Sequence, residues 1–128
     1  MGTVTTIPAL GIAEAAQRSG LTPHTLRYYE RDGLLLAAVD RDAGGRRRYT
    51  ERDLEWLAML AALRATGMPI RDVRRYAALV RGGAGSEAER LALLQDHRDR
   101  VQAQLAETAR HLDAIDAKVD RYRAQLSS

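Results

Sequence analysis

A chain of 128 residues, 45% hydrophobic and 29% charged, is the size of one domain, or of one small domain plus an extension, and has the composition of a folded protein. No apolar run reaches the ~18 residues that a membrane span needs, residues 1–10 lack the basic start and apolar core of a signal peptide, and the absence of cysteine excludes disulfides, cysteine-ligated zinc and thiolate sensing. The formal charge of +3 is unevenly spread: residues 1–85 hold 13 Arg against 9 acidic residues, whereas residues 86–128 are slightly acidic.

Residues 1–10 read as a frayed start of a cytoplasmic protein. Ile12–Arg18 is Ala-rich and predicts a short helix, with Gly20 suited to the left-handed residue that ends one. Thr22-Pro23 offers an N-cap followed by proline at the first helical position, so a second helix runs to about Asp32 and stops at Gly33. Two short helices joined by a tight turn containing Gly make a helix-turn-helix. Leu34–Val39 and Arg46–Tyr49 flank a turn rich in Asp and Gly and read as the two arms of a β-hairpin, a wing. The densest basic stretch, Arg41, Arg46, Arg47, Arg48 and Arg52, begins in this hairpin and suits a polyanion. Thr50 caps a third helix whose apolar face is Leu54, Leu57, Ala58, Ala61 and Leu63. Pro69 opens a fourth, with Ile70, Val73, Tyr76, Ala77 and Val80 on one side.

Gly82–Gly85 is the only good boundary, dividing the chain into 1–81, a Gly-rich linker at 82–85, and 86–128. Ser86 and Glu89 have the spacing of a capping box. Beyond them a heptad runs almost to the end, with Leu91, Arg98, Leu105, Leu112, Val119 and Leu126 at a and Leu94, Val101, Thr108, Ile115 and Tyr122 at d. Nine of these eleven are apolar, and a helix with such a stripe needs a partner. The expected contacts between two copies are Leu91, Leu94, Val101, Leu105, Leu112, Ile115, Val119 and Tyr122. His97 and His111 share heptad position g and read as a solvated flank.

Thr25-Leu26-Arg27-Tyr28-Tyr29-Glu30, closed by Gly33-Leu34-Leu35, closely resembles the recognition helix of the MerR family of bacterial transcription regulators. The resemblance continues through Arg47-Arg48-Tyr49-Thr50 and Gly67-Met68-Pro69-Ile70, covering residues 12–80 in ordered motifs. In the last helix, His97-Arg98 and Ile115-Asp116-Ala117-Lys118 are similar to the aldehyde- and electrophile-responsive branch, which usually senses through cysteine. The wing departs from the family pattern: Arg46 stands where an aromatic is frequent, no proline follows Leu35, and the hairpin is one residue longer.

The fold expected is mainly α, a winged helix-turn-helix head with a small β-hairpin wing followed by a long C-terminal coiled-coil helix. Thr22, His24 and Thr25 place short polar groups at the N-terminal turn of the recognition helix, where base edges are reached, and Arg27 lies one turn on. The resemblance adds phosphate contacts from the hydroxyls of Tyr28 and Tyr29, of which Tyr28 is read as the exposed one, and a wing lying along the DNA backbone through Arg46, Arg47 and Arg48. Arg18 is a further phosphate candidate, and Glu30 is read as pairing with a nearby Arg.

The implied partners are double-stranded DNA, a second copy in an antiparallel homodimer, and RNA polymerase at a promoter whose spacer the protein untwists. A small-molecule effector would bind non-covalently near Trp56, Tyr76 and Tyr122, since nothing after Ser128 remains to form a separate ligand domain. No cofactor, metal, membrane or enzymatic role is implied. The competing reading is a MerR-like protein-interaction module that does not bind DNA.

Overall fold

The computed structural model describes residues 10–128, so the frayed start lies outside the described residues. Its elements are α1 (Ile12–Ser19), α2 (Pro23–Arg31), β1 (Asp40–Arg41), β2 (Arg47–Arg48), α3 (Glu51–Ala65), α4 (Ile70–Arg81) and α5 (Glu87–Ser127). They divide into two compact units, one ending at Leu93 and one running from Leu94 to Ser128.

In the first unit α1 packs on α2 and α3, and α3 on α4. Gly20, at φ 75°, takes the left-handed conformation that closes α1, and its N–H reaches the Ala16 carbonyl. Two residues later Thr22 opens α2: its Oγ1 accepts the Thr25 N–H at 3.1 Å, and Pro23 follows at the first helical position. The turn between α1 and α2 is thus set by one left-handed residue and one cap. Leu26 and Tyr29 face inward from α2 onto a core with Ala15, Ala16, Leu57 and Leu60.

The hairpin is shorter than the sequence suggests. Only Asp40–Arg41 and Arg47–Arg48 pair, antiparallel, with Asp40 opposite Arg48 and Arg41 opposite Arg47. Leu34 and Leu35 are adjacent and both buried, which a strand with alternating faces cannot arrange. Their carbonyls are also taken, by the Trp56 indole N–H at 2.8 Å and by Arg81 at 3.4 Å. Leu34–Ala38 is therefore a bent loop folded into the core. On the other side of the hairpin, Leu10 bridges to Tyr49 through two backbone hydrogen bonds of 2.8 and 2.7 Å.

A full capping box starts α3: Asp53 N–H donates to Thr50 Oγ1 at 3.1 Å while Asp53 Oδ2 accepts the Thr50 N–H at 2.9 Å. Leu54, Trp56, Leu57, Leu60 and Leu63 are buried. At about 100° per residue they cover roughly half the helix circumference. The single-face reading is corrected accordingly: Ala58 is exposed, while Leu60 and Trp56, outside that face, are core. The expected face of α4 is present, with Val73 and Ala77 buried and Ile70, Tyr76 and Val80 half-buried.

Ser86 does not form the expected box with Glu89. Its hydroxyl donates to the Leu79 carbonyl at 3.1 Å, and the carboxylate of Glu87 accepts the Gly85 N–H at 2.9 Å instead. The helix that follows has 41 residues, about 60 Å at 1.5 Å per residue. In the second unit it is a single uninterrupted helix. Leu105, Leu112, Ile115, Val119, Tyr122 and Leu126 are all exposed on it. His97, read as solvated, is buried, whereas His111 is exposed with Glu107 at 3.6 Å. Among the described residues no helix is long and apolar enough to cross a membrane.

Candidate nucleic-acid interface

The first turn of α2 carries the polar groups expected there. Thr22 Oγ1 and Thr25 Oγ1 lie 2.9 Å apart, so these hydroxyls hold each other in place, while His24 and Arg27 are exposed. Arg27 makes no ion pair or hydrogen bond among the described residues, so its guanidinium has all its donors available.

The two adjacent tyrosines part company. Tyr28 is 37% exposed and Tyr29 only 4%. Burial raises the Tyr29 phenol above its ordinary pKa, the dominant effect, with Arg64 opposing it. Tyr29 is therefore a core residue, and its reading as an exposed contact is corrected: about 100° of helical rotation turns it inward where Tyr28 faces out. Tyr28 has a neighbour that the sequence did not single out. Arg74 on α4 donates to the Tyr28 hydroxyl at 3.3 Å while its Nε is paired with Asp32 at 2.7 Å. Arg74 lies 46 residues from Tyr28 in the chain, so no local pattern points to it.

The wing is built on Asp42. Its Oδ1 accepts the N–H groups of Gly44 and Arg46, both at 2.9 Å, and Gly45, at φ 78°, turns the chain back. The Arg46 N–H above all, with that of Gly44 and the nearby charges of Arg48 and Arg46, holds the Asp42 carboxyl below its usual pKa. Along β2 the arginines alternate as strand geometry requires. Arg46 and Arg48 are exposed, while Arg47 turns inward and its Nε is paired with Glu30 on α2. Arg41 reaches the same carboxylate at 3.3 Å. Glu30 thus ties the wing to the recognition helix, the structural pairing expected of it.

Arg48 sits 3.6 Å from Asp42, and Arg18 pairs with Glu51 at 2.8 Å. Arg46 has no ion pair among the described residues. Both paired arginines are nearly half exposed. Such pairs contribute little, so a phosphate can displace them. Beside the wing, Gly11, Ile12 and Arg46–Arg48 line an open cleft of about 330 Å³.

The three aromatic residues read as an effector site separate. Trp56 and Tyr76 are stacked, with ring centroids 5.6 Å apart and planes 21° from parallel. Trp56 is buried, and its only N–H is committed to the Leu34 carbonyl. It is a core residue, a correction to its reading as a ligand contact. Tyr122 is exposed on α5. Among the described residues no group of His, Asp or Glu has the makings of a metal site.

A capped helix pair, a basic hairpin and two further helices define a winged helix-turn-helix DNA-binding protein. Residues 10–79 match the family model described as MerR HTH family regulatory protein, and residues 54–118 match that described as MerR, DNA binding. An uncharacterized HTH-type transcriptional regulator of Haemophilus influenzae is 40% identical over 111 residues, which are 87% of this chain and 82% of that protein. The crystal structure of HiNmlR, a MerR family regulator lacking the sensor domain and bound to promoter DNA, superposes with a TM-score of 0.78 at 38% identity, covering 90% of both chains. A MerR family regulator structure from Listeria monocytogenes gives 0.78 at 33% identity, covering 89% of this chain and 86% of that one. The chain belongs to the MerR family: it is a transcriptional regulator with a DNA-binding domain, and the family's members are not enzymes.

Proposed function

We propose that the protein regulates transcription as a cytoplasmic homodimer that binds a pseudo-palindromic promoter site and untwists its spacer so that RNA polymerase engages both promoter elements. Residues 1–81 form the DNA-binding head, 82–85 the linker and 86–128 the dimerisation helix. Thr22, His24, Thr25 and Arg27 face the major groove, Tyr28 gives its hydroxyl to a phosphate, and Arg18, Arg46, Arg47 and Arg48 follow the backbone. Readout combines base contact with the energy of deforming the duplex.

The observation that carries this is the coupling of wing to recognition helix. Arg47 and Arg41 converge on Glu30 of α2, while Arg27 and Tyr28 stay exposed on that helix. One rigid basic surface results, as a duplex backbone requires. The relative HiNmlR, bound to promoter DNA, supports the same use here.

The dimer reading rests on the apolar stripe of α5, since seven large apolar residues from Leu91 to Leu126 are exposed on it. The contacts are Leu91, Leu94, Val101, Leu105, Leu112, Ile115, Val119 and Tyr122. Effector binding rests on Tyr76 and Tyr122, which keep accessible surface.

Sequencing the genomic fragments that the purified protein retains identifies the operator, and anisotropy titrations on that fragment measure affinity against salt. A retained promoter with an overlong spacer supports the untwisting reading. A protein that retains no fragment above background contradicts the proposal.

A further inference from the structure

The seam of α5 has one charged member. Arg98 occupies an a position within an otherwise apolar stripe, and in the structure it meets only its chain neighbour Asp99, at 3.6 Å on the surface. Asp116, one residue after the seam residue Ile115, has no ion pair among the described residues. These two residues select one arrangement among the possible pairings of two α5 helices.

In a parallel pair, equivalent positions face each other. Arg98 would then meet Arg98 of the partner subunit, and Lys118 at g would flank Arg123 of the partner subunit at e. Both encounters are repulsive. An antiparallel pair instead sets each a residue opposite a d residue.

Three antiparallel registers keep most of the seam. Placing Leu105 opposite the partner's Thr108 makes the two helices, Glu87–Ser127, almost coextensive. Leu91 then faces the partner's Tyr122, Leu94 its Val119, Val101 its Leu112, and Arg98 its Ile115. A slide of one heptad one way brings Arg98 beside Arg123 of the partner subunit and leaves Leu91 past the helix end. A slide the other way leaves Tyr122 and Leu126 with no facing layer. Only the coextensive register sets Arg98 next to a carboxylate: the hole that receives it is walled on one side by Asp116 of the partner subunit.

We infer that α5 pairs with a second copy antiparallel and coextensive, and that Arg98 and Asp116 form an inter-subunit ion pair, made twice per dimer, that fixes the register. This rests on the dimer reading above. The apolar layers hold the helices together, and the ion pair discriminates against the shifted and parallel alternatives, as polar seam residues do in coiled coils.

The test uses two single variants, Arg98→Asp and Asp116→Arg, in the full chain. Each alone places like charges at both couples, and its homodimer weakens by about tenfold or more. Mixed together, they restore both couples with the signs exchanged. Native mass spectrometry of the mixture should then give heterodimer well above the one-half of random exchange, and the double variant Arg98→Asp/Asp116→Arg should dimerise like the wild type. Random exchange between variants of a dimeric wild type overturns the register and leaves the dimer standing. A wild type that sediments as a monomer overturns the dimer itself.

Discussion

Trp56 illustrates how a single side chain serves the head. Its ring lies against Tyr76 and its N–H holds the carbonyl of Leu34, so one residue of α3 pins both α4 and the loop leading into the wing. Trp56→Ala should lower stability by about 3–5 kcal/mol through the cavity left behind, read as a fall in the denaturant midpoint. Trp56→Phe keeps an aromatic surface but frees the buried Leu34 carbonyl, so it should cost a smaller ~1–3 kcal/mol. Equal losses from the two variants would show that the hydrogen bond, not the ring, matters most. Sequence pattern identified Arg27, Tyr28 and the cap Thr50, because each follows from helix geometry within one or two turns. It missed Arg74 beside Tyr28, whose position is fixed by packing between residues 46 apart. It left open which arginine Glu30 meets, for the same reason.

At the scale of elements, caps and turns set the recognition surface. Thr50→Ala removes half of the capping box at α3 and should cost about 1 kcal/mol, seen as a fall of several degrees in Tm. An unchanged Tm would mean that the box contributes nothing. The wing responds to acid through Asp42. Its folded pKa lies below the ordinary value of 3.8, so its contribution to folding is complete above that value and is lost as pH falls through the folded one. The amide resonances of Gly44 and Arg46 should therefore shift together on strong acidification, and Asp42→Asn should abolish that coupled titration. A titration that survives in Asp42→Asn would place its origin elsewhere. The hairpin arms themselves were only partly legible: the turn residues were plain, but an apolar run such as Leu34–Val39 fits a strand and a buried loop equally, and only the hydrogen bonds to its carbonyls decide between them. The heptad of α5 was fully legible, because the absence of Gly and Pro and the regular spacing need no tertiary partner to be read.

For the whole molecule, a two-fold dimer presents two copies of every contact, so each arginine substitution acts twice on one operator. A phosphate contact contributes about 0.9 to the slope of log affinity against log salt, and loss of the pair should lower that slope by about 1.8. A ligand bound by the native dimer alone should raise its apparent Tm with ligand concentration, and a thermal-shift screen tests the effector reading in this way. Ligands that raise the Tm of Tyr76→Ala/Tyr122→Ala as much as that of the wild type would exclude those residues from the site.

The most direct measurement is the salt dependence of operator binding for the wild type, Arg27→Ala and Arg47→Ala, with the stoichiometry of each complex determined alongside. The expected result is two chains per operator and, for at least one substitution, weaker binding with a slope shallower by about 1.8. Affinity and slope unchanged in both variants would contradict an arginine surface on α2 and the wing as the part of this protein that holds DNA.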